Sequence, residues 1–138
     1  VKVYLDENLP PFVTEPLALI YREHSFVSWS SEGLQGTEDV PLMKQLRSRG
    51  FNAIITRDRA QLKDPLERRA VAESGLKWIG VADKKLSGLE YVAITVATLA
   101  AGLRFAFDHV ATGPTSYSLV TVPHMQLQRI KIREIASF

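Results

Sequence analysis

The feature that most constrains this fold is a repeated order: a short β-branched apolar run, an acid at its end, a turn marked by glycine or proline, then apolar residues at helical spacing. Val1-Lys2-Val3-Tyr4-Leu5 reads as a strand that stops at Asp6. Pro10-Pro11 opens a helix whose Phe12, Val13, Leu17 and Ile20 recur at helical spacing, and residues 24–29 read as a second strand. Ser30, Ser31, Gly33, Gly36 and Thr37 form a loop. Thr37 or Asp39 is placed to cap the next helix, which carries Pro41 in its first turn, Leu42, Met43 and Leu46 on its apolar side, and Gly50 at its end. The order then repeats. Asn52-Ala53-Ile54-Ile55-Thr56 is a strand closed by Arg57-Asp58, Asp64-Pro65 starts a helix that runs to Ser74-Gly75, and residues 77–81 read as a fourth strand. Residues 86–109 read mostly as one long apolar helix packed against the sheet. Beyond Gly113-Pro114, residues 117–122 and 128–135 are two further strand candidates, whose alternation predicts an antiparallel tail or edge.

Strands alternating with helices predict an α/β fold: βαβ units, a mainly parallel sheet, right-handed crossovers and helices on both faces. The 138 residues match one ordinary domain, 1–138, with no internal repeat, low-complexity tract or linker. A chain of this length buries enough surface to hold a core without staples. The absence of cysteine excludes a disulfide framework, a thiolate zinc site and a cysteine nucleophile, and is compatible with a cytoplasmic location. The apolar run over residues 91–103 contains Thr95 and Thr98 and falls short of the roughly 20 residues of a bilayer span, so no membrane helix is expected. Val1 opens directly in a strand-like segment, so no secretion signal is expected either. The net charge of +2 does not mark a nucleic-acid binder. Its distribution says more: Arg47, Arg49, Arg57, Arg59, Lys63, Arg68 and Arg69 share one central stretch, which is either a solvated face with ion pairs or a rim that attracts phosphates.

In open parallel sheets ligands bind beyond the carboxyl ends of the strands, near the point where strand order reverses. That rule selects Asp6 after the first strand, Asp58 after the third, and the Glu38-Asp39 pair in the loop that follows the second. Carboxylates gathered within about 4–6 Å raise one another's pKa and need protons or a cation to be tolerated. Hard oxygen ligands suit Mg²⁺ or Mn²⁺, and an ion held there would polarise a phosphoryl oxygen, activate water and neutralise a leaving oxygen. This chemistry points to phosphodiester hydrolysis, with Arg57 or Arg59 gripping the substrate backbone and Thr56 or Asn8 holding a water at the ion.

A plainer reading stands beside each residue. Asp6 and Asp58 also suit solvated turns, Asp39 a helix cap, and Glu38 a partner of the helix dipole. Asp64 reads as a cap, and Glu7 is expected to point away from Asp6. His24, His109 and His124 lack the paired spacing of a zinc hydrolase, no glycine-rich phosphate loop occurs, and Ser30-Ser31 lacks the glycines of a nucleophile elbow. Trp29 and Trp78 read as core rather than as base-stacking platforms.

Three separated segments carry a family resemblance. Val3-Tyr4-Leu5-Asp6-Glu7-Asn8-Leu9-Pro10, Gly33-Leu34-Gln35-Gly36-Thr37-Glu38-Asp39 and Ile54-Ile55-Thr56-Arg57-Asp58 resemble, in order and in structural role, the PIN-like nucleases of the group that opens with Asp-Glu-Asn-Leu-Pro. The likeness covers about the first sixty residues. It implies a PIN-like three-layer fold and a metal-dependent ribonuclease, of the kind found as the VapC-type toxin of a toxin–antitoxin pair. By position it makes Asp6, Asp39 and Asp58 the metal ligands, with Glu38 as the substitute for Asp39. RNA would be the substrate, an antitoxin protein would cover the acid rim, with Phe12, Leu17 and Leu42 as candidate contacts, and a homodimer is allowed. This sequence departs from the group at Ala60, where a further acid is expected, and Gln61 and Leu62 follow it. That loss leaves open a second class of function, a non-cleaving module that keeps the acid rim and acts through a protein or RNA. A phosphoacceptor receiver domain is a third possibility, but it needs a lysine ending the fifth strand and none follows Val122.

Overall fold

The computed structural model describes residues 1–57, 59–82, 86–123 and 125–135; the side chains of Arg59 and Leu127 fall outside that description. Among the described residues, β1 (Lys2–Leu5), β2 (Ser25–Ser28), β3 (Ala53–Thr56), β4 (Lys77–Gly80) and β5 (Ser116–Ser118) form one sheet in the order β2-β1-β3-β4-β5. Every neighbouring pair is parallel. The helices are α1 (Thr14–Ile20), α2 (Trp29–Glu32), α3 (Asp39–Ser48), α4 (Pro65–Ser74), α5 (Gly88–Asp108) and α6 (Gln126–Arg129), with 3-10 turns at Pro11–Val13 and Arg59–Leu62.

Side chains alternate across a strand, and here the alternation feeds two cores. Val3, Leu5, Ala53, Ile55 and Ile79 face Val13, Leu17, Leu99 and Leu103, the side of α1 and α5. Tyr4, Ile54 and Trp78 face Leu42, Met43, Leu46 and Val71, the side of α3 and α4. The result is the expected three-layer α/β arrangement. All of β3 is buried, as befits a central parallel strand read as one continuous apolar run.

Local signals set several boundaries. Asp64 caps α4, its Oδ1 accepting from the Leu66 and Glu67 backbone N–H groups at 2.9 and 3.0 Å, with Pro65 first in the helix. Gly75 ends α4 at φ 72°, a left-handed conformation that favours glycine. In α3 it is Glu38 that occupies the cap position, without a side-chain cap bond, while Asp39 is the first helical residue; neither Thr37 nor Asp39 is the cap. The acid at that first position faces the positive end of the helix dipole.

The structure corrects several expectations. β5 pairs with β4 in parallel, not antiparallel, and residues 128–135 join no described strand, the first two of them closing α6 instead. Trp29 begins α2 instead of ending β2. Leu17 and Leu42 are buried in the two cores and so offer no partner a surface, whereas Phe12 is 54% exposed. The 21-residue α5 is long and apolar enough, by length and composition alone, to cross a membrane, because its apolar pattern continues past Leu103 through Phe105, Ala106 and Phe107. Ile94, Leu99, Leu103 and Ala106 of that helix are buried within the protein.

The crossovers differ as well. The connections through α1, α3 and α4 share one hand, since the direction of travel along the sheet reverses after β2 and the helices change face with it. The connection through α5 travels the same way as that through α4, yet α5 lies on the opposite face and so has the opposite hand. Two features permit this. Tyr21 fixes α5 to the α1 side, its hydroxyl donating to the Ala100 carbonyl at 2.7 Å and accepting from the Arg104 N–H at 3.1 Å. The strand that follows is a three-residue edge, with little pairing at stake.

Candidate functional site

The order β2-β1-β3 reverses direction at β1, so the switch point lies where β1 and β3 end side by side. Leu5 pairs with Ile55, and the next residues, Asp6 just past β1 and Thr56 at the end of β3, both turn toward the α3 side. Thr56 is fully buried and donates its hydroxyl hydrogen to Asp6 Oδ2 at 2.8 Å, while the Glu7 N–H donates to Asp6 Oδ1 at 2.9 Å. Leu9 N–H to the Asp6 carbonyl, 3.0 Å, closes the turn. Asn8 staples the two strand ends: its Nδ2 donates to Thr56 Oγ1 at 3.1 Å and its Oδ1 accepts from the Arg57 N–H at 3.1 Å. The Arg57 guanidinium lies over the Tyr91 ring, 4.6 Å from its centroid, and donates to the Tyr91 hydroxyl at 2.9 Å.

Asp39 arrives from the other side of the switch, at the start of α3. Its Oδ1 accepts from Gln61 Nε2 at 2.7 Å, and the Oε1 of the same amide accepts from Trp78 Nε1 at 3.0 Å. Gln61 is fully buried, and because an indole N–H can only donate, the amide is locked with its own donor toward Asp39. Gly80, two residues beyond Trp78 on the same face, lets the indole lie flat, since a β-carbon there would overlap the six-membered ring. Glu7 accepts from the Gly36 N–H at 2.8 Å, which ties the loop before α3 to the end of β1.

Burial raises the pKa of Asp6; the Thr56 and Glu7 hydrogen bonds oppose that rise, and the charges of Asp39 and Glu7 add to it. Asp6 and Asp39 thus share one electrostatic neighbourhood. Among the described residues neither is held in a salt bridge, and Asp39 Oδ2 bonds to none of them. Two such carboxylates fit a hard divalent cation, because Mg²⁺ is commonly held by one or two carboxylates and completed by water or phosphate. No group of three or more metal-ligating side chains is found among the described residues.

Of the residues read from sequence, Asp6, Asn8, Asp39, Thr56 and Arg57 are gathered at the switch point. Glu38 is exposed beside Asp39. Asp58 lies outside the described residues, as does the Arg59 side chain. Thr56 is buried beneath Asp6 and Asn8 is bonded across the strand ends, so both brace the carboxylate end of β1. Asp64 serves as a cap. His24 packs on Phe107 with ring centroids 4.4 Å apart, His109 bonds the Tyr117 hydroxyl at 2.8 Å, and His124 lies outside the described residues.

Sequence reasoning missed Gln61 and Tyr91. The signal for Gln61 was indirect: a tryptophan in a core strand needs an acceptor for its indole N–H. No such signal pointed to Tyr91, which reaches Arg57 from a helix more than thirty positions away in sequence.

No significant match was found among curated proteins or among solved structures. The family model described as PIN like domain matches residues 1–82, a stretch that contains β1 to β4, the carboxylate pair and the Thr56 and Gln61 side chains bonded to it. That match spans more than half of the chain, which therefore belongs to the PIN like domain family, a family of nuclease type whose nucleases generally use divalent metals.

Proposed function

We propose that this chain is a metal-dependent endoribonuclease that hydrolyses RNA phosphodiester bonds, with Asp6, Asp39 and Asp58 holding Mg²⁺ or Mn²⁺. The observation that carries this reading is the convergence of Asp6 and Asp39, distant in sequence, at the sheet's switch point, with no salt bridge from a described residue to neutralise them. When bound, the ion would supply Lewis-acid charge at the scissile phosphate. The chain's own groups supply the geometry. Thr56 and the Glu7 N–H fix Asp6, Gln61 fixes Asp39, and Glu38 stands exposed beside it as the alternative ligand. Arg57, held on the Tyr91 ring, offers a positioned cation for a backbone phosphate, and Arg59 lies two residues further on in sequence.

In this reading the chain acts in the cytoplasm as the toxin of a type II toxin–antitoxin pair, alone or as a homodimer, until an antitoxin covers the acid rim. The resemblance of its motifs to the PIN-like group that opens with Asp-Glu-Asn-Leu-Pro supports it, and exposed Phe12 is a candidate contact. A second reading, a non-cleaving module that binds RNA or protein, is favoured by Ala60 standing where the family group carries another acid.

Incubation of purified protein with RNA and Mg²⁺ or Mn²⁺ tests the proposal. Cleavage should be lost in EDTA and in Asp6→Ala, Asp39→Ala and Asp58→Ala. Cleavage that survives Asp6→Ala and Asp58→Ala removes the mechanism, and Mn²⁺ binding without cleavage supports the module instead. Growth arrest on expression, relieved by a small neighbouring gene, tests the toxin role.

A further inference from the structure

The opposite hand of the α5 crossover leaves part of the sheet bare. A helix of the usual hand between β4 and β5 would lie beside α4; among the described residues none does, and a groove of about 500 Å³ runs there instead. Its walls are α4 on one side and Pro114, Thr115 and Ser116 on the other, with Leu76 and Trp78 below. We propose that this groove is a subsite for single-stranded RNA, taking the nucleotides next to the bond cleaved at the carboxylate pair. The inference rests on the ribonuclease reading and adds to it where the substrate runs.

Three observations favour RNA as the occupant. First, the charge is of one sign: among the described residues Arg68 and Arg69 line the groove and no carboxylate does. Arg68 is exposed on α4, while Arg69 donates to Glu73 at 2.8 Å across an exposed i,i+4 pair, so Arg68 carries the greater part of the available charge. Second, the lining is aliphatic beside that basic rim, through Leu62, Pro65, Val71 and Leu76, so a base face packed there would be withdrawn from water while its phosphate meets an arginine. Third, the groove adjoins the site. Trp78 in its floor donates to Gln61, which donates to Asp39, so two hydrogen bonds link the groove's base to the candidate metal ligand. Leu62, its wall on that side, is the residue next to Gln61. A strand of RNA leaving the carboxylate pair over the Arg59–Leu62 turn would enter the groove directly.

The test is binding of a fluorescein-labelled single-stranded RNA to the full chain in EDTA, by anisotropy across a series of KCl concentrations. Arg68→Glu should weaken binding and make the slope of log K against log[KCl] shallower by about 0.7, since one phosphate fewer is neutralised. Ala72→Trp, which fills the groove without changing charge, should weaken binding several-fold and leave that slope unchanged. Arg104→Glu, an equal charge change on α5 across the sheet, should do neither. If wild type binds RNA and Arg68→Glu and Ala72→Trp bind it equally well, the groove is not an RNA subsite, although the nuclease reading stands. If Arg104→Glu weakens binding as much as Arg68→Glu, the effect is one of net charge and the subsite is refuted. If wild type binds no RNA but binds a labelled acidic peptide that Ala72→Trp excludes, both the subsite and the ribonuclease reading fall.

Discussion

Replacing Gln61 with leucine isolates the role of the buried amide, because leucine keeps much of the volume and removes both hydrogen bonds. Trp78 Nε1 is then left without its acceptor in a place where the residue is 1% exposed, which costs about 1–3 kcal/mol for an unsatisfied buried donor. Asp39 is half-buried and recovers part of its missing bond from water, so its share is smaller. For 138 residues each kcal/mol lowers the melting temperature by about 3 °C, giving an expected fall of about 3–10 °C. The effect on the site is separate. An orienting partner of a metal ligand typically contributes about 10–100-fold in affinity, so Mn²⁺ titrated calorimetrically into Gln61→Leu should bind weaker by that factor. Gln61→Glu keeps the acceptor for Trp78 but sets a second carboxyl group against Asp39 Oδ1, where a 2.7 Å contact requires a shared proton. It should therefore restore much of the thermal stability while making Mn²⁺ binding steeply dependent on pH. A Gln61→Leu protein that binds Mn²⁺ as wild type does, when Asp39→Asn does not, would falsify the assignment of Gln61 as the group that orients Asp39.

Two further changes probe the fold and the charge at its centre. Burial foremost raises the Asp6 pKa, so the folded chain holds that proton more tightly than the unfolded chain; the associated stability is complete below the unfolded value of 3.8 and is lost as pH rises through the folded one. Metal-free Asp6→Asn should accordingly melt above wild type at neutral pH, with the gap closing as the pH approaches 3.8, and a wild type that melts higher at neutral pH contradicts this. Lys77 Nζ donates to the Ala106, Phe107 and His109 carbonyls at 2.8, 3.1 and 2.7 Å and so closes the end of α5. Lys77→Met should cost about 1–2 kcal/mol and speed amide exchange in the last turn of that helix; unchanged exchange there rules out the capping role.

How much of this was legible beforehand depended on whether the governing interaction was local. Strand β3, the Asp64-Pro65 start of α4 and its Gly75 end follow from neighbours a few residues apart, and sequence alone placed them. So did the candidate ligands Asp6 and Asp39, since acids at strand ends in a βαβ pattern share one rim by topology. The Thr56–Asp6 hydrogen bond was not legible, because only the β1–β3 register brings that hydroxyl beneath Asp6.

The chain's sequence by itself determined the α/β class, a mainly parallel sheet and the rim at which its acids gather, because periodicity and capping act over one or two turns and the βαβ pattern sends strand ends to one side. Tertiary structure alone decided the face on which α5 settles, the parallel pairing of β5 and the chain of bonds from Trp78 through Gln61 to Asp39. Those depend on which buried surfaces and polar groups find one another across the fold. No local pattern specifies the partner of an indole N–H, but the cost of burying it without one forces a choice once the core has closed.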